Sequence, residues 1–217
     1  TDANRKPFEP EFGRALETGV KFESADHRLG GTLSVFQINK RNVLTGVDEN
    51  GEASTAAGEV RSRGLELDIA GQLTPNLRIS GSYAHINAEV TRDTEGAMDW
   101  WTGERVTLVG KSLTNVPKNS ASVLAVWEEA LQGAGAYGLG GGLAYVGQRA
   151  GNVINSFSLP SYTTAKLLAY WRVNKQFRLM LNVDNLFDKR YFASSYDRSW
   201  IMPGAERTVT LTAQIKF

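Results

Sequence analysis

Acyl-transfer catalysis needs a serine or cysteine beside a general base, and this 217-residue chain offers two histidines and no cysteine. His27 falls in the short polar stretch "ADHR" (25–28), which leaves His85. At a spacing of two, Asn87 shares the face of His85, whereas Ser82 points the other way, and no Gly-x-Ser-x-Gly elbow occurs. His85 is therefore expected to be structural. Two distant histidines do not make a zinc site, and the scattered Asp and Glu match no calcium-loop spacing. The residues predict neither an enzyme nor a metal centre.

The composition, 41% hydrophobic and 22% charged, is that of an ordinary globular protein. A formal net charge of +1 provides no concentrated basic face for phosphate, so no nucleic-acid partner is expected. The opening "TDANRKPFEP" contains no apolar signal region, which fits a cytosolic chain, a processed one, or the downstream part of something longer.

One segment has the apolarity of a membrane helix, because "ALQGAGAYGLGGGLAYVGQ" (130–148) carries no charge and spaces Gly138 and Gly142 four apart. Its seven glycines argue against a helix, since each interior glycine costs up to about 1 kcal/mol relative to alanine. Tyr137, Leu139, Gly141, Leu143 and Tyr145 share a face only at a period of two, so the segment reads as a strand. The same period recurs in Leu65, Leu67 and Ile69 against Glu66, Asp68 and Ala70. It recurs again in Phe177, Leu179, Leu181 and Val183 against Arg178, Asn182 and Asp184. The last stretch sets Val209, Leu211, Ala213, Ile215 and Phe217 against Thr208, Thr210, Thr212, Gln214 and Lys216.

This pattern predicts about nine strands, near 11–24, 29–41, 58–73, 77–91, 118–129, 136–149, 160–173, 176–185 and 205–217. They are long for a globular protein, where about 5 or 6 residues is usual, and suit a bilayer, where a tilted strand needs about 9 to 11. Connections alternate in length. Short turns fall at 25–28, 74–76, 129–135 and 173–175, and long loops at 42–57, 92–117, 150–159 and 186–204. The expected fold class is thus all-β, an antiparallel transmembrane β-barrel portion of about nine long strands with short periplasmic turns and long extracellular loops. A soluble sandwich or solenoid would explain the alternation but not this asymmetry. Tyr83, Tyr137, Tyr145, Trp127 and Trp171 near the strand ends of the apolar face fit the aromatic girdles of such a barrel. Gly138, Gly140 and Gly142 share the inward face, where they mark either a merely flexible strand or the close approach of something inside the barrel, an inward-folded loop or, as the resemblance described next implies, a plug.

"NVDNLFDKRY" (182–191) followed by "PGAERTVTLTAQIKF" (203–217) resembles the C-terminal end of TonB-dependent outer-membrane receptors, particularly those for ferric siderophores. "FEPEFGRALETGVKF", "GEVRSRGLELDIAGQLTPNLRISGSYAHINAEVT" and "NVPKNSASVLAVW" resemble other parts of that family in the same order. The resemblance implies a barrel of 22 strands enclosing an N-terminal plug, in the bacterial outer membrane. Residues 1–217 would then be the C-terminal part of the barrel, with the plug domain, TonB box and N-terminal strands absent. It also implies that Phe217 is the aromatic terminal signal read by the barrel-assembly machinery, and that the TonB complex is engaged through the absent N-terminal region.

In such receptors the chelate is held by aromatic and cationic groups of the lumen and loops, and iron is carried by the siderophore, so no resident cofactor is expected. The resemblance puts the corresponding candidates at Trp100, Trp101 and Arg105 in one loop, Arg149 at a strand end, and Tyr191, Phe192, Tyr196, Arg198 and Trp200 in the last loop. Aromatic planes give wide contact at low entropy cost, and Arg clamps anionic groups. The expected partners are a ferric siderophore, the TonB complex, outer-membrane lipid and the assembly machinery. A passive porin or an adhesin barrel is the alternative function, and an outer-membrane lipid-modifying enzyme a third.

Overall fold

The computed structural model describes residues 9–47, 53–94, 96–133 and 135–216, with side chains omitted at 44–47 and 53–57. Its elements, in chain order, are β1 (Phe12–Glu23), β2 (Leu29–Val47), β3 (Ala53–Thr74), β4 (Leu77–Arg92), β5 (Ala97–Asp99), β6 (Glu104–Val106), β7 (Asn119–Leu131), β8 (Gly135–Val146), β9 (Arg149–Ala150), β10 (Ser158–Leu159), β11 (Tyr162–Arg172), β12 (Phe177–Asp184), β13 (Phe192–Asp197), β14 (Trp200–Pro203) and β15 (Thr208–Ile215). Nine form one antiparallel sheet in the order β1-β2-β3-β4-β7-β8-β11-β12-β15, and the other six pair as three small ribbons within the long connections. Each sheet neighbour is also the next long strand in sequence. Among the described residues, β1 and β15 pair on one side only.

The register aligns the two faces across the sheet. Leu77, Trp127, Leu139, Ala169, Leu181 and Leu211 are successive cross-strand partners and form an apolar row. One residue along, Arg78, Val126, Gly140, Leu168, Asn182 and Thr210 form a mixed row on the opposite face. The first face is open, with Leu139, Leu143 and Leu211 all more than half exposed. The girdle aromatics lie on this face at two heights. Tyr137 pairs with Trp171 toward the short turns, while Tyr83 and Tyr145 flank Ala121 toward the long loops. Tyr137 and Tyr145 are eight residues apart, about 27 Å along a strand and about 21 Å along the normal at a 40° tilt, close to the apolar band of a bilayer barrel.

The three inward glycines have a packing reason. A Cβ on Gly138 would land in the Tyr170 ring, one on Gly140 would meet Val126 Cγ2 at 2.9 Å and Leu168 Cγ at 3.1 Å, and one on Gly142 would meet Lys166 Cε at 3.0 Å. Side chains of the adjoining strands lean over β8 and occupy that space. Neither a flexible strand nor an enclosed domain is needed to explain them.

Two boundaries differ from the sequence expectation. The connection expected at 42–57 is largely strand, because β2 and β3 continue to pair through Val43–Gly58, Thr45–Thr55 and Val47–Ala53. Residues 48–52 of that expected loop lie outside the described residues, as does Phe217. Asn42, at φ 57°, coincides with a register shift between Arg41 and Val43, a bulge that interrupts the period of two. The strand expected over 136–149 stops at Val146, and Arg149 belongs to the β9–β10 ribbon.

The face assignment yields a direct expectation. In the intact protein, Leu211→Arg places a cation on the apolar face and should cost about 2 to 4 kcal/mol, whereas Thr210→Arg lies on the opposite, polar face and should be tolerated. Heat-modifiability gels read the difference, and equal damage from both would contradict the faces.

Candidate functional site

The long connections on one side of the sheet form a joined body. Val90, at the end of β4, is buried with Leu108 and Ile154 from two loops, and Val60, Ala97, Val106 and Leu113 pack around them. Asparagines tie the rest. Asn115 Nδ2 donates to the Ser195 carbonyl (2.8 Å) and its Oδ1 accepts from Ser195 N (2.9 Å). Asn155 does the same with Ser112, through Nδ2 to the carbonyl (2.9 Å) and from N to Oδ1 (2.8 Å). Both have positive φ, 64° and 55°, a conformation that asparagine tolerates better than most residues. The buried Ser195 hydroxyl also donates to the Gly151 carbonyl at 2.6 Å. Three sequence-distant loops are thus sewn together.

The "NLFDKRY" stretch is the hinge of the last loop. Asn185 is buried with φ 48°; its Nδ2 donates to the carbonyls of Lys189 (3.0 Å) and Ala205 (2.9 Å), and its Oδ1 accepts from Lys189 N (2.9 Å). Asp188 Oδ1 accepts from Arg207 N at 2.9 Å, closing the loop onto β15. Tyr191 then stacks on Tyr162 with ring centroids 4.1 Å apart, and the Arg149 guanidinium lies 5.4 Å from the Tyr162 centroid. Gly204 also lies against Tyr191, where a Cβ would overlap the ring, and Gly204 N donates to the Tyr191 carbonyl at 2.8 Å. Backbone, two rings and a guanidinium pack together.

This stack divides the expected ligand residues. Arg149 is 4% exposed, and its Nη2 donates to the carbonyls of Phe192 (2.5 Å) and Ala193 (2.9 Å). Arg149 and Tyr191 hold the last loop in place. Phe192, Tyr196 and Trp200 are open at 44%, 80% and 65%, on the β13–β14 ribbon. The Tyr196 and Trp200 rings meet edge to face at 6.4 Å, and Arg198, at the ribbon's tip, donates through Nη2 to the Ser156 carbonyl at 3.3 Å. Trp100 and Trp101 are also open, on the turn between β5 and β6. That turn is shaped by Gly103 N donating to the Asp99 carbonyl (2.8 Å) and Trp101 N to Asp99 Oδ1 (3.0 Å). Arg105 follows on β6. The structure brings Tyr196, Arg198 and Trp200 together and sets Trp100, Trp101 and Arg105 apart, on a ribbon whose strand neighbour is β2.

The asparagines were missed by sequence reasoning. Their signal was faint: isolated Asn residues in "TNVPK" and "NVINS", at places where a chain reverses. His85 Nδ1 lies 2.8 Å from Asn119 Oδ1, which also accepts from the Tyr83 hydroxyl at 2.9 Å. Both belong to the upper aromatic girdle.

Comparison with known proteins agrees with this architecture. Residues 1–186 match the model of the TonB dependent receptor-like β-barrel family. The chain is 43% identical to the metal-pseudopaline receptor CntO of Pseudomonas aeruginosa strain UCBPP-PA14, over 100% of this chain and 29% of that protein. It is 32% identical to the ferrichrome outer membrane transporter/phage receptor of Escherichia coli K12, over 97% of this chain and 27% of that protein. In structure it superposes on the siderophore receptor PiuA of Acinetobacter baumannii with a TM-score of 0.81 and 28% identity, covering 100% of this chain and 30% of that one. The chain therefore spans less than a third of the length of these relatives, which are receptors and transporters rather than enzymes. With its nine-stranded antiparallel sheet, apolar outer face and sewn loops, it belongs to the TonB-dependent receptor β-barrel family of the bacterial outer membrane.

Proposed function

We propose that this chain is the C-terminal part of an outer-membrane receptor that binds a ferric siderophore and imports it by TonB-coupled active transport. The rest of the polypeptide supplies the remaining barrel strands and the plug. The one-sided pairing of β1 and β15 supports this, because unpaired strand edges are not tolerated in lipid. Iron enters as cargo within the chelate. Outer-membrane lipid meets the apolar face, and the barrel-assembly machinery reads the closing strand.

The observation that carries the ligand reading is the convergence of open Tyr196, Trp200 and Arg198 on a ribbon whose base is held by buried contacts. Rigid aromatic planes beside a cation suit a bulky anionic chelate. A second reading is favoured by the 43% relative, named for metal-pseudopaline: the chelate of this chain is then a metal bound to that compound.

In the intact receptor, Arg198→Ala with Trp200→Ala should weaken binding by about 1 to 3 kcal/mol, roughly 5- to 150-fold in Kd, at unchanged barrel abundance. Titrating ferric siderophores and metal-loaded pseudopaline in parallel decides between the two readings. Unchanged affinity would move the site to other loops, and no binding of any chelate by the parent would favour a porin or adhesin.

A further inference from the structure

The apolar face ends, toward the long loops, in a band of cations. Along β3, Ile69, Leu67 and Leu65 share a face with Arg63 and Arg61, so hydrocarbon-facing residues give way to charge within one strand. The register carries this change across four strands. Val20, Leu33, Leu67 and Tyr83 form one cross-strand row from β1 to β4, and Thr18, Val35, Leu65 and His85 form the next. Leu16, Gln37, Arg63 and Asn87 make the third row, and Arg14, Asn39, Arg61 and Glu89 the fourth. Arg63 thus stands two rows beyond the girdle residue Tyr83, about 13 Å along the strand.

The carboxylates of this band are already taken. Glu89 Oε1 pairs with Arg61 Nη2 at 2.5 Å, and one row further Glu59 is shared by Arg41 (3.7 Å) and Arg92 (3.5 Å). Among the described residues no carboxylate pairs with Arg63 or Lys118, and both side chains are exposed. Lys118 is fixed beside β4 because its carbonyl accepts from Ile86 N at 2.9 Å. A hollow of about 650 Å³ joins the two cations, and its lining includes Gln37, Leu65, His85 and Asn87. Asn119 Oδ1 braces its lower edge through the Tyr83 hydroxyl and His85 Nδ1.

Leu33, Val35 and Tyr83, all more than a third exposed, lie directly below the cations. A soluble anion would meet Arg63 and Lys118 but leave those side chains uncovered, and a polypeptide would have to bring its backbone into the apolar band. A lipid covers both zones, with its chains on the apolar rows and its phosphate at the cations. We infer that the Arg63–Lys118 cluster is a binding site for the phosphorylated headgroup of an outer-leaflet lipid. The Arg63 guanidinium offers a forked pair of donors to the phosphate, Lys118 a second charge, and Gln37 and Asn87 amide groups for neighbouring headgroup oxygens. The site requires the long loops to face outward, and it is independent of which chelate they bind.

Native mass spectrometry of the intact protein in detergent, titrated with bisphosphorylated lipid A, tests the inference. Arg63→Gln with Lys118→Gln should weaken lipid retention about 30-fold, roughly fivefold for each cation removed. Arg28→Gln with Lys175→Gln, exposed at the short-turn end, should leave it unchanged. Dephosphorylated lipid A should be held no better by the unsubstituted protein than by the Arg63/Lys118 variant, and excess inorganic phosphate should not displace the bound lipid. A photo-reactive residue at Asn87 should crosslink to lipid in intact cells. Retention unmoved by the Arg63/Lys118 substitutions, an equal loss in the Arg28/Lys175 variant, displacement by inorganic phosphate, or a protein crosslinked at residue 87 would each overturn the site. Heat-modifiability identifies variants that fail to fold, and thiol labelling that placed the long loops in the periplasm would overturn the orientation instead.

Discussion

Gly204→Val in the intact protein is expected to unseat the last long loop while leaving the sheet intact. The side chain would enter the space held by the Tyr191 ring, and so break the packing with Tyr162 and Arg149. Overpacking of about 1 to 3 kcal/mol plus a lost aromatic pair of about 0.5 to 1.5 kcal/mol falls on one loop rather than on the sheet. Arg149→Ala should act alike by a different route, because it leaves the Phe192 and Ala193 carbonyls without their buried donor. Lys189 and Arg190 are exposed, but the Lys189 backbone is held on both sides by Asn185. Brief trypsin treatment of intact cells should therefore cut the two variants in this loop and spare the parent, with heat-modifiability unchanged. Both variants should also bind chelate less well, although neither alters Tyr196, Arg198 or Trp200. Protease resistance equal to the parent's would show that the stack does not hold the loop.

That prediction depends on residues which the sequence could not sort. The nine strands were legible because an apolar outer face against a polar inner one forces a period of two, and Leu181 or Leu211 declares its side by its chemistry alone. Where the sheet rises past the apolar band this contrast is lost. Arg41, Glu59 and Arg92 replace the leucines, the bulge at Asn42 shifts the phase, and the paired ends of β2 and β3 read as loop. The ribbons β5–β6 and β13–β14 are too short to show any period.

In the loops, residue type was informative about chemistry but silent about burial. Arg149 and Arg198 are the same residue in similar polar surroundings, yet one clamps two carbonyls inside the loop body and the other stands at a ribbon tip. Tyr191 and Tyr196 divide in the same way, the first packed against both Tyr162 and Gly204, the second 80% exposed on the ribbon. The glycine was visible in "PGAER", and its partner was not.

The central claim is that the sheet crosses the outer membrane with the sewn loops outside and the short turns in the periplasm. Gly96 is unsuited to carry a probe, because its φ is +70° and a Cβ there would crowd the Val106 carbonyl. Thr102, on the open turn between β5 and β6, and Pro75, on the exposed turn between β3 and β4, are the better pair. Thr102→Cys and Pro75→Cys, made singly in the intact protein, should be treated with a membrane-impermeant thiol reagent on intact cells and again after the outer membrane is permeabilised. The structure predicts labelling at residue 102 in intact cells and at residue 75 only after permeabilisation. Labelling of residue 75 in intact cells, with residue 102 protected, would contradict the orientation and with it the assignment of Tyr196, Arg198 and Trp200 to an external chelate.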